Sequence, residues 1–218
     1  MATADLAITT RSLGKILDDL GGIDPARVLL KQPLGQATEA DLIRCNAGGS
    51  TRCELVDGML VEKGMGYNES GLALVLAAYL GAFIVPRNLG LLTGEAGMMR
   101  LVPDLVRMPD LAFASWDRIP DRRRPTGPIA GFAPDLAVEI LSRSNTRAEM
   151  ARKRREYFAS GVRLVWEVDP IARTVAVFDA PDRSRVLDES QILDGGDVLP
   201  GFALPLADLF GELDRHGI

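Results

Sequence analysis

The sequence contains a single histidine among 218 residues, His216, near its C-terminal end. Ser-His-Asp hydrolases, Cys-His proteases, HExxH metalloproteases and histidine-based nucleases all require an imidazole in the core of the fold. A residue in a chain end that we expect to fray cannot supply it. Neither a Walker A loop nor a GxGxxG motif after a strand is present. These mechanisms are therefore excluded, whereas catalysis by carboxylates and a metal ion remains open.

Cysteine is nearly as scarce, because the sequence contains only Cys45 and Cys53 and no CxxC motif. This usage predicts reduced thiols in a cytoplasmic protein and gives no reason to expect zinc. The sequence begins without the basic and apolar regions of a secretory signal. The longest apolar stretch, residues 71–85, is too short to span a bilayer. We therefore expect a soluble, cytoplasmic protein without a membrane partner.

Basic residues are fewer than acidic ones: the sequence has 25 lysines and arginines and 30 aspartates and glutamates, for a net charge of −5. Overall charge therefore does not favour nucleic-acid binding. Local clusters of arginine do occur, in a Pro/Gly-rich loop and at the start of the following helix. If they converge, they form a phosphate-binding surface, and otherwise they are solvated surface residues. The residues predicted to bind nucleic acid are Arg122, Arg123, Arg124 and Arg147.

A helix is predicted to follow Thr146, which forms a capping box with Glu149, and to end at Gly161. At about 100° per residue, Lys153 and Tyr157 share the apolar stripe of this helix. A lysine that points into the core needs an anionic partner.

Two apolar strands offer carboxylates to such a lysine. Residues 134–142 are typical of a central strand buried on both faces, with Glu139 in its middle. Residues 108–114 form a second strand with Asp110 at its beginning. The two carboxylates would hold a hard divalent cation through their oxygens, and the ammonium would orient or activate water, as in a phosphodiesterase. The alternative is a buried ion pair without a catalytic role, and periodicity alone does not favour Lys153 over Arg154.

The remaining patterns predict one domain of class α/β (α+β), with a mixed β-sheet core flanked by helices. Residues 1–36 are interpreted as an N-terminal extension and residues 37–214 as the domain. Asp57 and Gly58 predict the turn of a hairpin at residues 52–62. An apolar helix is predicted over residues 68–85, capped by Asn68 and with Glu69 in its first turn. Further predictions are a helix from near Thr38, a hairpin at residues 163–178, turns at 195–201 and a last helix at 206–213.

Several ordered motifs resemble the Uma-type putative restriction endonuclease family, a branch of the PD-(D/E)xK nuclease superfamily. The resemblance covers residues 38–213 and rests on segments 54–58, 108–112, 134–142, 161–170 and 194–201, together with Lys153 and Tyr157. It implies a restriction endonuclease-like fold in which Asp110 and Glu139 are metal ligands. The superfamily lysine would stand two residues after Glu139, where this chain has Leu141, so the resemblance assigns the amine to Lys153.

The resemblance also implies that Glu54 and Glu69 are accessory acids. The expected function is a metal-dependent endonuclease that hydrolyses DNA with Mg²⁺ or Mn²⁺, in which Asp110, Glu139 and Lys153 are catalytic. The alternative is a catalytically inactive nuclease fold that binds nucleic acid or a protein partner. The sequence leaves open the cleavage site, the choice between DNA and RNA, and the oligomeric state, a homodimer included.

Overall fold

The structure is a computed structural model that describes residues 12–48, 51–64 and 66–214. The helices in this part are α1 Leu13–Asp19, α2 Glu39–Ala47, α3 Tyr67–Ile84, α4 Arg147–Ala159 and α5 Leu206–Asp214. The strands are β1 Val28–Leu29, β2 Cys53–Val56, β3 Met59–Glu62, β4 Gly90–Gly94, β5 Met98–Val102, β6 Leu105–Arg107, β7 Leu111–Ser115, β8 Ile129–Ala130, β9 Leu136–Ile140, β10 Leu164–Asp169, β11 Thr174–Ala180, β12 Arg183–Asp188, β13 Ile192–Gly195 and β14 Leu199–Pro205.

Two six-stranded mixed sheets and a small hairpin form the β-structure. The first sheet has the order β1-β3-β2-β6-β5-β8, the second has the order β12-β11-β10-β9-β7-β4, and β13 pairs with β14. In the second sheet β9 and β10 are parallel, whereas β9 and β7 are antiparallel. Together with the five helices, these sheets confirm the predicted mixed α+β class.

Strand β9 is the centre of the second sheet, and all five of its residues are buried. On one face Leu136 and Val138 join the core cluster that contains Leu72 and Leu76 of α3. On the other face Ala137 joins a cluster with Tyr157 of α4. The period-two prediction for this strand is therefore confirmed, with helices covering both faces. The side chain of Glu139 consequently points toward α4.

Helix α4 begins as predicted, since the Thr146 side chain accepts a hydrogen bond from the Glu149 amide at 3.0 Å. Gly161 follows the helix with a φ of 85°, which is the left-handed conformation that favours glycine at a helix C-terminus. The predicted cap of α3 is wrong. The residue at the N-cap of α3 is Gly66, which makes no side-chain cap hydrogen bond, and Asn68 lies within the first turn.

Part of the segment interpreted as an N-terminal extension packs onto the domain. Strand β1 pairs with β3, and Leu20, Ile23 and Val28 join a core cluster with Val56 and Val61. Residues 1–11 of this segment lie outside the described residues. The described part of the segment is therefore continuous with the first sheet and its core.

Helix α3 is the one helix in the described ranges that is long and apolar enough to cross a membrane, by length and composition. Sequence analysis placed this stretch below the length that a bilayer needs. Its inner stripe, which includes Leu72, Leu76 and Leu80, is fully buried against the second sheet, whereas Leu74 on the opposite side is exposed. This inner stripe contributes to the core of the second sheet, and 28% of the helix is buried.

Candidate active site

Asp110 and Glu139 meet at one end of the contact between β7 and β9. The antiparallel register pairs Leu111 with Val138, and Asp110 and Glu139 are the residues next to this last pair. The Ile140 amide donates a hydrogen bond to Asp110 Oδ2 at 2.6 Å. Both carboxylates are buried, with 3% and 4% of their surface exposed. Two carboxylates predicted from separate strands thus lie next to each other.

Lys153 of α4 lies against Glu139 and a third carboxylate, Glu54. Its Nζ is 3.2 Å from Glu139 Oε2 and 3.5 Å from Glu54 Oε2. The Tyr157 hydroxyl, one helical turn further on, donates to Glu139 Oε1 at 2.6 Å. Both oxygens of Glu139 therefore contact α4, and the i, i+4 spacing explains why one helix supplies both partners.

Helical periodicity did not decide whether Lys153 or Arg154 points toward the carboxylates, but the contacts of the two side chains do. Arg154 Nη1 is 2.7 Å from Glu167 Oε1, and its guanidinium lies 4.2 Å from the centroid of the Phe178 ring. Arg154 is thus held beside the neighbouring strands β10 and β11. Lys153 is the cation of this helix that contacts Glu139.

Glu54 enters the cluster from β2 of the first sheet. Its Oε1 accepts a hydrogen bond from the Met108 amide at 2.9 Å, and its Oε2 is 2.7 Å from Arg107 Nη1. Burial raises the pKa of Glu54, but the cations Lys153, Arg107 and Lys63 outweigh burial and lower the pKa to about 2. Glu54 is therefore a permanent anion that joins the two sheets at the candidate site.

The protonation states of the other groups follow from the same balance of burial and charge. Burial lowers the pKa of Lys153, but Glu139 and Glu54 outweigh it and raise that pKa above its ordinary value. Burial raises the pKa of Glu139, and the nearby charge of Asp110 adds to this effect, whereas Lys153 opposes it. Burial and the charge of Glu139 raise the pKa of Tyr157 well above its usual range. Lys153 is thus an ammonium ion and Tyr157 a neutral donor.

Sequence analysis missed a second lysine, Lys63, which follows β3. Its Nζ is 2.6 Å from Asp110 Oδ1 and donates a hydrogen bond to the Met108 carbonyl at 2.5 Å. The contact with Asp110 is an ion pair without hydrogen-bond geometry, so Oδ1 accepts no hydrogen bond. Period two places Lys63 on the same face as the buried Val61, and this alternation is the signal that could have predicted it.

Arg107 is a second residue that sequence analysis missed. It lies at the end of β6, and 3% of its surface is exposed. Its guanidinium lies between Glu54 and Glu156, and Nη2 is 2.5 Å from Glu156 Oε2. The sequence around it gives no periodic signal, because Val106 and Arg107 are adjacent and both buried. The cluster therefore contains three carboxylates and three cations, in close to neutral balance: Asp110, Glu139, Glu54, Lys63, Lys153 and Arg107.

The comparisons with known proteins support a nuclease. The sequence profile of the Uma2 family, described as "Putative restriction endonuclease", matches residues 39–207. The chain belongs to this family. The fold is similar to the crystal structure of a putative nuclease from Anabaena variabilis, with a TM-score of 0.65 and 22% identity over 75% of this chain and 92% of that one. A search of curated proteins finds no match.

The nuclease fold implies a divalent metal ion, and the donors present fit Mg²⁺ or Mn²⁺. Magnesium is commonly held by one or two carboxylates and keeps several waters, and Asp110 and Glu139 provide two adjacent carboxylates. Within the described ranges, no group of three or more His, Cys, Asp and Glu side chains is arranged to hold a metal by itself. Asp110 Oδ1 is the buried oxygen that accepts no hydrogen bond. Asp110 and Glu139 would therefore hold the ion, with water or substrate completing its coordination.

Glu69, the second predicted accessory acid, does not join this cluster. It lies in the first turn of α3 and lines a cavity of about 730 Å³ with Gly64, Ser142 and Arg143. In the described structure it forms no ion pair with a residue of the cluster. Gly64 and Ser142 follow Lys63 and β9 in the chain, but none of the six residues of the cluster lines this cavity. Asp110 lines a different cavity, of about 390 Å³, together with Thr93 and Leu111.

The predicted nucleic-acid-binding arginines lie at two ends of the second sheet. Arg147 begins α4, beyond the end of β9 that carries Glu139. Arg122 to Arg124 are exposed in the loop after β7, and this loop is held by Arg118, which binds Asp135 at the other end of β9. Asp135 and Glu139 are separated by four residues, or about 13 Å of extended chain. The structure therefore brings Arg147 closer to the carboxylates than the loop.

Proposed function

We propose that this protein is a divalent-metal-dependent endonuclease that hydrolyses phosphodiester bonds of DNA. The observation that carries the proposal is that Asp110 accepts a hydrogen bond from the amide next to Glu139, with the ammonium of Lys153 3.2 Å from Glu139 Oε2. Two buried carboxylates and a protonated amine from three separate elements are the side chains that such a reaction uses. Membership of a family of restriction endonucleases supports the same reaction class.

Asp110 and Glu139 would hold Mg²⁺ or Mn²⁺ against the scissile phosphate. The bound ion would supply Lewis-acid stabilisation of the phosphate charge and lower the pKa of the attacking water. Lys153 acts as a fixed positive charge rather than a base, because Glu139 and Glu54 raise its pKa. It offsets negative charge that develops on the phosphate oxygens and orients the water for in-line attack.

Glu54, Arg107 and Tyr157 position the reacting groups. Glu54 contacts Lys153 at 3.5 Å and Arg107 at 2.7 Å, so it limits where the ammonium can lie. The hydroxyl of Tyr157 fixes one oxygen of Glu139. A carboxylate held by a neutral donor on one side and by a cation on the other keeps a single orientation.

The substrate would approach over the cavity between the end of β9 that carries Glu139 and the start of α4. Arg143 and Arg147 line this cavity, and both side chains are exposed. Exposed guanidinium groups bind phosphate oxygens in bidentate geometry and add affinity without sequence specificity. Arg122, Arg123 and Arg124 stay a prediction for a second, more distant contact with the same DNA.

Incubation of the purified protein with plasmid, linear duplex and single-stranded DNA tests this proposal. Each substrate is incubated with Mg²⁺, Mn²⁺ or EDTA, and a structured RNA is included. We expect internal cuts in plasmid DNA with Mg²⁺ or Mn²⁺, no cuts in EDTA, and no cuts by Asp110→Asn. Equal cleavage by Asp110→Asn would assign the activity to a contaminant or another site.

A second candidate function is a binding module without catalysis. It is favoured by one observation, namely that every carboxylate oxygen of Asp110 and Glu139 already contacts a donor or cation of the protein. Such a module would bind nucleic acid or a protein partner equally well in EDTA. The enzyme would instead require the metal for cleavage, so the two functions are distinguished by the same incubation combined with a binding assay in chelator.

A further inference from the structure

Lys63 is the cation closest to Asp110 in the described structure. Its side chain is 7% exposed, and its Nζ lies 2.6 Å from Asp110 Oδ1 while it donates to the Met108 carbonyl. The other Asp110 oxygen, Oδ2, accepts the hydrogen bond of the Ile140 amide at 2.6 Å. Oδ1 is therefore the oxygen of Asp110 that contacts Lys63 but accepts no hydrogen bond.

A divalent ion at Asp110 would need the oxygen that Lys63 occupies. Magnesium lies about 2.0–2.1 Å from its oxygen ligands, which is closer than an ammonium nitrogen approaches a carboxylate. An ammonium and a divalent cation on one buried oxygen would also repel each other strongly, because the surroundings screen charge poorly. The two cations are therefore alternatives at Asp110 Oδ1.

We propose that Lys63 is an internal counter-ion of Asp110, which competes with a divalent cation for Oδ1 and leaves that oxygen when the cation binds. This inference rests on the proposed metal-dependent function. Lys63 would then lower the affinity for the metal, because the Lys63–Asp110 pair has to break before the metal can bind Oδ1.

An open cavity lies next to Lys63 in the chain. The next residue, Gly64, lines the cavity of about 730 Å³, and Glu69 lines the same cavity. Glu69 is a partly buried carboxylate without an ion pair in the described structure. A lysine side chain has four rotatable bonds, so the ammonium can reach a new partner while the backbone stays in place.

Calorimetric titration with Mn²⁺ tests the proposal on the full-length protein. The variants are Lys63→Met, Lys63→Arg and Asp110→Asn, together with the double variant Lys63→Met/Asp110→Asn. We expect Lys63→Met to bind Mn²⁺ roughly tenfold tighter or more than the wild type, because close buried charge pairs are coupled by at least 1.5 kcal/mol. Lys63→Arg keeps the charge and should bind as weakly as the wild type. The gain should disappear in the double variant.

Thermal unfolding gives a second readout that does not depend on activity. Without metal, Lys63→Met leaves Asp110 as an unpaired buried carboxylate and should lower Tm. Saturating Mn²⁺ should raise the Tm of this variant more than that of the wild type, because it replaces the missing charge. A purely structural Lys63 would predict a lower Tm with no such recovery, and that result would overturn the proposal.

The titration distinguishes failure of the counter-ion role from failure of the proposed metal site. If the wild type binds Mn²⁺ through Asp110, but Lys63→Met binds it equally or more weakly, the counter-ion role is wrong and the metal-dependent function is retained. If neither the wild type nor Lys63→Met binds Mn²⁺ in a way that Asp110→Asn abolishes, the proposed metal site itself is wrong, and the inference about Lys63 is wrong with it.

Discussion

Asp110, the residue before β7, accepts a hydrogen bond at 2.6 Å from the amide of Ile140, the neighbour of Glu139 in β9. Because β7 and β9 pair antiparallel from Leu111 and Val138 onward, the two carboxylates lie at the same end of this pairing. Burial and mutual repulsion make this arrangement unfavourable without positive charge, and the raised pKa of Glu139 reflects both effects. The pair therefore accounts for the buried cations around it.

Near-isosteric variants should separate chemistry from folding at this pair. Asp110→Asn retains the shape that accepts the Ile140 amide, and Glu139→Gln retains an acceptor for Tyr157, so both proteins should fold. Each should lose DNA cleavage by at least about 100-fold, because each removes a charge that binds the metal. Circular dichroism and plasmid-nicking rates are the measurements. Cleavage by either variant within a few-fold of the wild type would contradict the assignment.

Lys153 needs a different substitution, because removing it takes from the buried carboxylate of Glu139 the cation that pairs with it. Loss of one member of a buried ion pair costs about 3–5 kcal/mol, so Lys153→Ala is expected to be unstable. Lys153→Arg keeps the positive charge but cannot place it at the same point. We expect it to fold and to lose most activity with little change in DNA affinity. Full activity of this folded variant would show that any cation suffices there.

The sequence predicts those parts of the site that are encoded by local periodicity. Glu139 is found because a carboxylate interrupts a buried apolar strand, and Lys153 because helical spacing turns it inward. Lys63 and Arg107 depend instead on contacts across the fold, since Lys63 meets Asp110 from a different sheet. No local pattern specifies which sheet faces which, so these residues could not be assigned partners from the sequence.

The N-terminal segment shows the same limit more strongly. Arg27 binds Glu149 through two contacts of 3.0 and 2.8 Å, although 122 residues separate them in the chain. Its Nε donates to the Glu62 carbonyl as well. The sequence therefore indicates an extension, whereas the fold ties that segment to the helix that carries Lys153.

Breaking the pair of Arg27 and Glu149 should destabilise the protein. Arg27→Met and Glu149→Gln should each lower the free energy of unfolding by about 3–5 kcal/mol, because each leaves a buried partner uncompensated. The double variant should lose less than the sum of the two. Chemical denaturation measures all three. The exposed pair of Arg183 and Asp179 is the control, and Arg183→Ala should leave the free energy of unfolding close to that of the wild type, because solvent screens this pair. Additive losses at Arg27 and Glu149 would show that the pair is not coupled.

The depressed pKa of Glu54 predicts a specific dependence of stability on pH. Its pKa falls from 4.5 to about 2 in the folded protein, so its stabilisation is fully present above pH 4.5 and is lost as the pH falls toward 2. Glu54→Gln should therefore be less stable than the wild type by about 3 kcal/mol near neutral pH. The two stability curves should converge toward pH 2.

Urea unfolding of wild type and Glu54→Gln at a series of pH values between 2 and 7 measures this convergence. Asp182→Asn, at an exposed position in the turn between β11 and β12, is the matched control and should follow the wild-type curve throughout. Parallel curves for wild type and Glu54→Gln over the whole range would mean that the ionisation of Glu54 does not stabilise the fold.

The two arginine clusters should differ in their contribution to DNA binding. Arg143 and Arg147 line one cavity between the end of β9 that carries Glu139 and the start of α4, whereas Arg122 to Arg124 follow β7 at its other end. Replacing Arg143 and Arg147 with alanine should weaken binding to all sequences alike. It should also reduce the slope of log affinity against log salt by about 0.9 per lost duplex contact. DNA affinity is measured at several salt concentrations in Ca²⁺, which suppresses turnover.

The triple variant of Arg122, Arg123 and Arg124 completes this experiment, because it removes more charge from a more distant surface. If net charge alone set the affinity, the triple variant would show the larger change in slope. Since Arg122 is already paired with Asp117 at 2.5 Å and the loop is held at the far end of β9 by Arg118, we expect the smaller change. A larger effect of the triple variant would mean that the DNA extends along the whole length of β9, and lines superimposable on the wild type would remove the loop from the binding surface.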